Sequence, residues 1–389
     1  MESFVGRSFD LSVKQEQRKK RVIYIAAVLA GAAVLVVLGF VFYRWYVNRS
    51  FETYKVVHTA SVKNGTSLEY ASYNGGVIRY GRDGVTAADE NGDSLWNGSY
   101  DMANPRLDIC EKSAVVADIG GTSFYAYKGQ DTGVNFSVDF PIVQACISRQ
   151  GIVAVLTEES ASNTITLYNP FDKTDKLLAE IPTNVEDGYP VSVAISPDGN
   201  SVAASYLCVT TGAVQSRVAF YNFTEIGKNA NCLVGAKNYD ETVISEIRFV
   251  DEEHVCLFGE DGFYLWENMK QPKQRFKKRF EDTIQSAFCG EGYVGVVLDQ
   301  GGDSHEMRLY SAGGKRILKK RVDADYAHVQ IRGDEILFDS SDKIAVYRTN
   351  GVKKCAIELK NKISYFYKAL GRNDYILIQN SKIKKIKLK

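Results

Sequence analysis

Beyond residue 50 apolar and polar positions alternate with a period of two in short runs bounded by Gly, Asn and Asp, which is the pattern of strands joined by tight turns. VSVAISPDGNSVAASY (191–206) shows the unit: an alternating run, a turn, and a second run. VQACISRQGIVAVLTEE (143–159) aligns with it without a gap across the turn, and IQSAFCGEGYVGVVLDQ (284–300) follows the same template. Looser copies occupy 67–81, 105–119, 244–260, 328–341 and 363–379. Their starts lie about 35 to 55 residues apart, the spacing of four-stranded propeller blades. Most are followed by a short strand ending near an aromatic residue: SFYAY, ITLYN, VAFYN, FYLWE, MRLYS and IAVYR. The pattern predicts an all-β chain folded as a β-propeller of eight blades, with seven as the alternative count because 198–251 is irregular. NDYILIQNSKIKKIKLK supplies only two strands to the last blade, so YKVVHTASV and SLEYASY are expected to complete it. Strands from both ends of the domain then close the ring and remove an open edge.

The exception to this pattern is VIYIAAVLAGAAVLVVLGFVFY (22–43), an uncharged run able to cross about 30 Å of hydrocarbon as a helix. Phe40, Phe42, Tyr43, Trp45 and Tyr46 stand where an interfacial aromatic belt would, so the transmembrane helix is placed at 22–47. The run exceeds the apolar core of a cleaved signal peptide, about 7 to 15 residues, and its small residues lie inside rather than after it. Arg18, Lys19, Lys20 and Arg21 precede it, and only Arg44 and Arg49 follow closely. The basic flank is expected in the cytosol, which makes 1–21 an irregular topogenic tail, 48–53 a linker and 54–389 an extracytoplasmic propeller in the cell membrane's outer space. The 48 Lys and Arg nearly balance the 47 Asp and Glu, so no global field favours nucleic acid.

ADENGDSLW (88–96) looks like the Asp-Gly-Trp blade motif of quinoprotein-type propellers, and AISPDGNSVAAS (194–205) looks like the Ser-Pro-Asp-Gly turn of WD40-like bacterial propellers. With a basic tail and one span, the chain resembles an uncharacterised clostridial family of membrane-anchored, quinoprotein-like or WD40-like β-propeller proteins. The resemblance covers the whole chain in organisation and implies placement at the cell envelope. It brings no established activity.

Catalytic patterns are scarce. His58, His254, His305 and His328 never fall at a paired metal spacing, Cys-x-x-Cys is absent, and no glycine-rich phosphate loop occurs, so no metal or cofactor is expected. Ser304 and His305 in GGDSHE are adjacent in an expected hairpin loop rather than on a nucleophile elbow. Seven cysteines are read mostly as small buried hydrophobes, with Cys208 and Cys232 the one pair placed for a disulfide. Lysine-rich 270–280 and 382–389 are read as outer strands whose charge protects an edge.

Alignment of the copies sets Ser192 in register with Glu69, Arg106, Gln144, Glu246, Gln285 and His328, each followed by a mostly apolar position. These seven are the candidate ligand-binding set, a polar ring around the axis, against which stands simple hydrogen bonding between blades. The missing catalytic sets, the degenerate blades and the membrane tether favour a non-catalytic binding or scaffold module for an envelope protein or polymer. The alternatives are a ligand sensor, or a propeller enzyme: a quinoprotein-like oxidoreductase, or a hydrolase using axial carboxylates such as Glu69, Asp108 and Glu246. The oligomeric state is left open.

Overall fold

The computed structural model describes residues 2–389 except 62–67, 130–131, 160–161, 184–187, 211–212, 228–230, 303 and 324–325; the side chains of 2–19, 210, 213 and 323 are also outside the described set. Arg18 and Lys19 of the basic flank therefore lie outside the described side chains. The chain divides into two compact bodies, 1–50 and 51–389. The first is a single helix, Glu2–Val47, so residues 2–21, expected as an irregular tail, continue the helix of the apolar run. From Lys20 to Val47 it is long and apolar enough to cross a membrane. Its large apolar side chains from Val22 to Tyr46 are exposed, which excludes a role as a buried core helix and leaves an anchor or a signal sequence.

The second body consists of eight four-stranded antiparallel sheets, the blades of a propeller. Blades 1 to 7 occupy 69–99, 105–137, 142–183, 189–239, 244–279, 284–323 and 328–358, each built from consecutive strands a to d, counted from the axis outward. Blade 8 takes strands a to c from Tyr365–Lys368, Asp374–Gln379 and Lys382–Leu388, and strand d from Tyr54–Ser61. The eight-blade count stands. The expected division of the closing blade does not: the C-terminal side gives three strands rather than two, and Glu69–Tyr73 opens blade 1. The reason is that 363–379, read as one copy, already contains a complete strand pair, joined at Lys368↔Tyr375.

Exposure alternates with period two along the outer strands Val134–Ser137 and Lys273–Arg279. Strands b and c, such as Ser113–Asp118 and Ser123–Tyr127, are buried on both faces because a blade stacks against a neighbour on each side. Each of the eight gaps between blades holds its own apolar cluster. Between blades 1 and 2, Trp96 stacks on Tyr127 with ring centroids 4.1 Å apart, and its indole N–H donates to the Tyr73 hydroxyl (3.2 Å). Gly98 lies beside it because a Cβ there would sit 2.2 Å from the Tyr125 ring. This is the docking contact that the Asp-Gly-Trp pattern supplies. In the Ser-Pro-Asp-Gly turn of blade 4, Asp198 accepts from the Asn200 amide (3.1 Å) and Gly199 takes φ +72°, a left-handed conformation that suits glycine.

Every outer strand except Val134–Ser137 carries a register shift against its partner, a device that twists an edge away from further pairing. Lysine-rich Lys273–Arg279 is such an edge. Lys382–Leu388 is not, since Tyr54–Ser61 covers it. The closing seam continues beyond that strand: Phe51 bridges to Cys355 on the outer strand of blade 7, and Lys389 N–H donates to the Thr53 carbonyl (2.8 Å). Inside the seam Lys354 donates to Glu335 (2.5 Å) and to the Arg372 carbonyl (2.7 Å), and Tyr375 donates to the second Glu335 oxygen.

All seven cysteines are free. The Cys208–Cys232 pairing is overturned by register: Cys232 adjoins the end of the sheet where Tyr221 pairs Val202, six residues along strand b from Cys208, or about 20 Å at 3.3 Å per residue.

Candidate functional site

Strand a of each blade runs along the axis from an entry face, where it begins, to a hairpin face, where it turns into strand b. The inner edge of a blade has no further strand to pair with, so its backbone groups need other partners. Side chains of the preceding blade provide some of them. Gln144 of blade 3 accepts from the Val193 amide (3.0 Å) and donates to the Val193 carbonyl (3.1 Å); Ser192 of blade 4 accepts from the Ile247 amide (3.1 Å). Two residues further along, Asp108 accepts from the Ile147 amide (2.8 Å) and Gln330 donates to the Phe366 carbonyl (2.8 Å). Glu69 meets Arg106 across the gap between blades 1 and 2 (3.1 Å) and also accepts from Tyr80.

The remaining candidates behave differently. Glu246 accepts from Arg248 of its own strand (2.6 Å), and His328 pairs with Asp339 of its own blade (3.1 Å). Gln285 does not occupy the position of Gln144, Ser192 and Glu246. Strand a of blades 3 to 6 carries a bulge whose extra residues are Val143, Val191, Ser245 and Gln285, and register places Ser286 opposite Val297 as Gln144 is opposite Leu156. Because blades 3 to 6 share this bulge, the displacement comes from the hairpin: Ser286 and Val297 are 11 residues apart where Gln144 and Leu156 are 12, so an alignment without a gap runs one residue out along strand a.

Of the seven, Arg106, Gln144 and Glu246 line one axial cavity of about 670 Å³, together with Asp108, Arg248 and the thiols of Cys110, Cys146 and Cys289. Ser192 is buried, and Glu69, Gln285 and His328 are not part of the lining. The expected ring thus resolves into blade-to-blade bridges and a polar wall along blades 2, 3 and 5. Burial raises the Asp108 carboxyl, an effect opposed by the amides of Ile147 and Ile109 and by Arg248. Burial also pushes the Cys110 and Cys289 thiols up to about 11, and Cys146 well above its ordinary value. The three thiols enter the wall as neutral, weakly polar groups.

On the hairpin face Arg149 of blade 3 pairs with Glu111 of blade 2 (3.1 Å) and with Glu252 of blade 5, passing over blade 4. Half a ring away, Arg332 of blade 7 meets Glu291 of blade 6 (3.7 Å) and Ser72 of blade 1 (2.8 Å), passing over blade 8. Ser304 and His305 lie within strand c of blade 6 rather than in a loop; Ser304 accepts from Arg321 (2.7 Å) and His305 is buried, so they form no catalytic couple.

The entry face has a feature that the alignment missed. Strands b and c of blade 4, Ser201–Thr210 and Ala213–Asn222, are ten residues each and run past their neighbours, which end at Tyr189↔Leu207 and Ser216↔Tyr239. The pairs Cys208↔Gln215, Val209↔Val214 and Thr210↔Ala213 form a two-stranded ribbon. Leu207, Val209 and Val214 share one side of it with Tyr189; Tyr189 is 67% exposed, Val209 71% and Val214 50%. The alternation in LCVTTGAVQS was the available signal.

Residues 47–388 match the family model described as "Family of unknown function (DUF5711)". The chain belongs to that DUF5711 family. No curated protein matches it. Among solved structures the DUF5711 chain is similar to BamB from Moraxella catarrhalis, at 12% identity and TM-score 0.53, covering 86% of this chain and 100% of that one. It is also similar to a structure described as the eukaryotic initiation factor, at 13% identity and TM-score 0.51, covering 87% and 88%. At these identities the likeness is one of fold, and the DUF5711 chain shares with both a propeller.

Proposed function

We propose that this protein is a membrane-anchored, extracytoplasmic β-propeller that binds an envelope protein and acts as a non-catalytic scaffold. The carrying observation is the apolar strip of Tyr189, Leu207, Val209 and Val214, the first pair at the blade's edge and the last two raised beyond it on a ribbon that contributes nothing to the adjacent cores. Large apolar side chains presented together on a soluble body are a mark of association. The placement outside the cytosol rests on Arg18 to Arg21 preceding the apolar helix, and the anchoring rests on the length of Lys20–Val47.

The test is crosslinking of the full-length, C-terminally tagged protein in its native membranes, comparing wild type with the double substitution Val209→Asp, Val214→Asp. One protein recovered in near-equal amount with wild type, and at least tenfold less with a variant of unchanged circular dichroism, is the expected result. Equal recovery from both removes the strip from the function.

A further inference from the structure

The axial cavity is chemically separate from the apolar strip. Its four charged side chains, Arg106, Asp108, Glu246 and Arg248, sum to zero but are unequally matched. Arg106 is held by Glu69 at 3.1 Å, and Arg248 is held by Glu246 through both Nε and Nη2. Asp108 is different: its contacts are the backbone amides of Ile147 and Ile109, and among the described residues it has no ion pair. A half-buried carboxylate held by amides alone is a ready partner for an ammonium group.

Arg248 supplies the complementary end. It extends from strand a of blade 5, three blades around the ring from Asp108, with 48% of its side chain exposed, and the two groups feel each other's charge. Glu246 engages Nε and Nη2 and the Cys289 thiol takes a further hydrogen bond, which leaves part of the five-donor guanidinium to offer. The same wall also holds Gln144, which is spent on the Val193 backbone, and the thiols of Cys110, Cys146 and Cys289. A cavity of about 670 Å³ is of the size that encloses a small molecule.

We propose that the axial cavity binds a small zwitterion of the amino-acid class, with its ammonium on Asp108 and its carboxylate on Arg248. The neutral total of the wall disfavours ligands of net charge, and the separated acid and base select for both charges in one molecule. This inference is independent of the partner surface on blade 4.

The experiment is isothermal titration of the full-length protein in detergent with glycine, β-alanine, 4-aminobutyrate and 6-aminohexanoate, a series that varies only the distance between ammonium and carboxylate. Hexanoate and hexylamine serve as one-charge controls. One spacing is expected to bind best, with both controls at least tenfold weaker. Asp108→Asn keeps an oxygen for the Ile147 amide, so the fold is retained, and it weakens the best zwitterion at least tenfold; Arg248→Gln does the same. Binding of hexylamine as tight as that of the best zwitterion would show an amine site and overturn the proposal. So would heat signals absent across the series, or affinity unchanged in both variants.

Discussion

Glu335 begins its strand inside the gap between blades 7 and 8, where Lys354 takes one of its oxygens and Tyr375 the other. Both members of the ion pair are nearly without exposure, at 1% for Lys354 and 4% for Glu335. Removing one partner of such a pair leaves a buried charge and costs about 3 to 5 kcal/mol. Glu335→Gln should therefore lower the urea midpoint strongly, and adding Lys354→Met should recover part of the loss; a midpoint equal to wild type would show the pair to be inert. His328 makes a different kind of pair. The Asp339 carboxylate raises its imidazole above the ordinary 6.5. The bond's contribution is thus present below that value and is lost as pH rises through the folded-state pKa. Titration by NMR should show His328 above 6.5 in wild type and lower in Asp339→Asn. At this scale the sequence revealed which inner-strand positions are polar, but not their partners. Gln144 and Ser192 look like axial side chains until the neighbouring blade's backbone is in place, and Gln285 is displaced because the hairpin of blade 6 is one residue shorter than that of blade 3, a difference that a gapless alignment hides.

Single strands were legible where one face is wet. Lys273–Arg279 is readable as an outer strand from its charge and alternates in exposure, whereas Val153–Glu158 and Glu335–Asp339 have apolar interiors because each is covered on both sides. Short Tyr365–Lys368 lies inside the copy at 363–379 but is missing from the two-strand count of the last blade, and so the closing blade is divided wrongly. Tyr54–Ser61 is the element on which closure depends. It pairs with Lys382–Leu388 over the full length of both strands, and it is mostly exposed on its outer side, with Val56 and Val57 among the bare residues. Deleting 51–61 while keeping the helix should leave Lys382–Leu388 as a bare edge of a three-stranded blade. Size-exclusion chromatography in detergent is expected to show higher oligomers, and a monodisperse profile with an unchanged urea midpoint would show that the strand is dispensable.

The ring as a whole was readable because its repeat spacing is a property of the chain, independent of any side-chain detail. What joins distant blades was not readable. Arg149 reaches Glu252 and Arg332 reaches Ser72 across an intervening blade, and nothing in the local pattern marks either reach. Both contacts are exposed and individually weak, and the Arg149–Glu252 ion pair is screened by salt. The durable connection is the seam, where Thr53 and Lys389, 336 positions apart, bond to each other. That separation has a consequence in time. The strand Tyr54–Ser61 is among the first parts of the propeller to be synthesised, and its ladder partner, Lys382–Leu388, is among the last. At about 5 to 20 residues per second it waits roughly 20 to 70 s for that partner, while blades 1 to 7 are completed in order. Throughout that interval the nascent chain holds an unpaired strand bearing Val56 and Val57, which follows the apolar helix in sequence, so a newborn molecule offers this edge to a neighbour until its own C-terminal strand arrives.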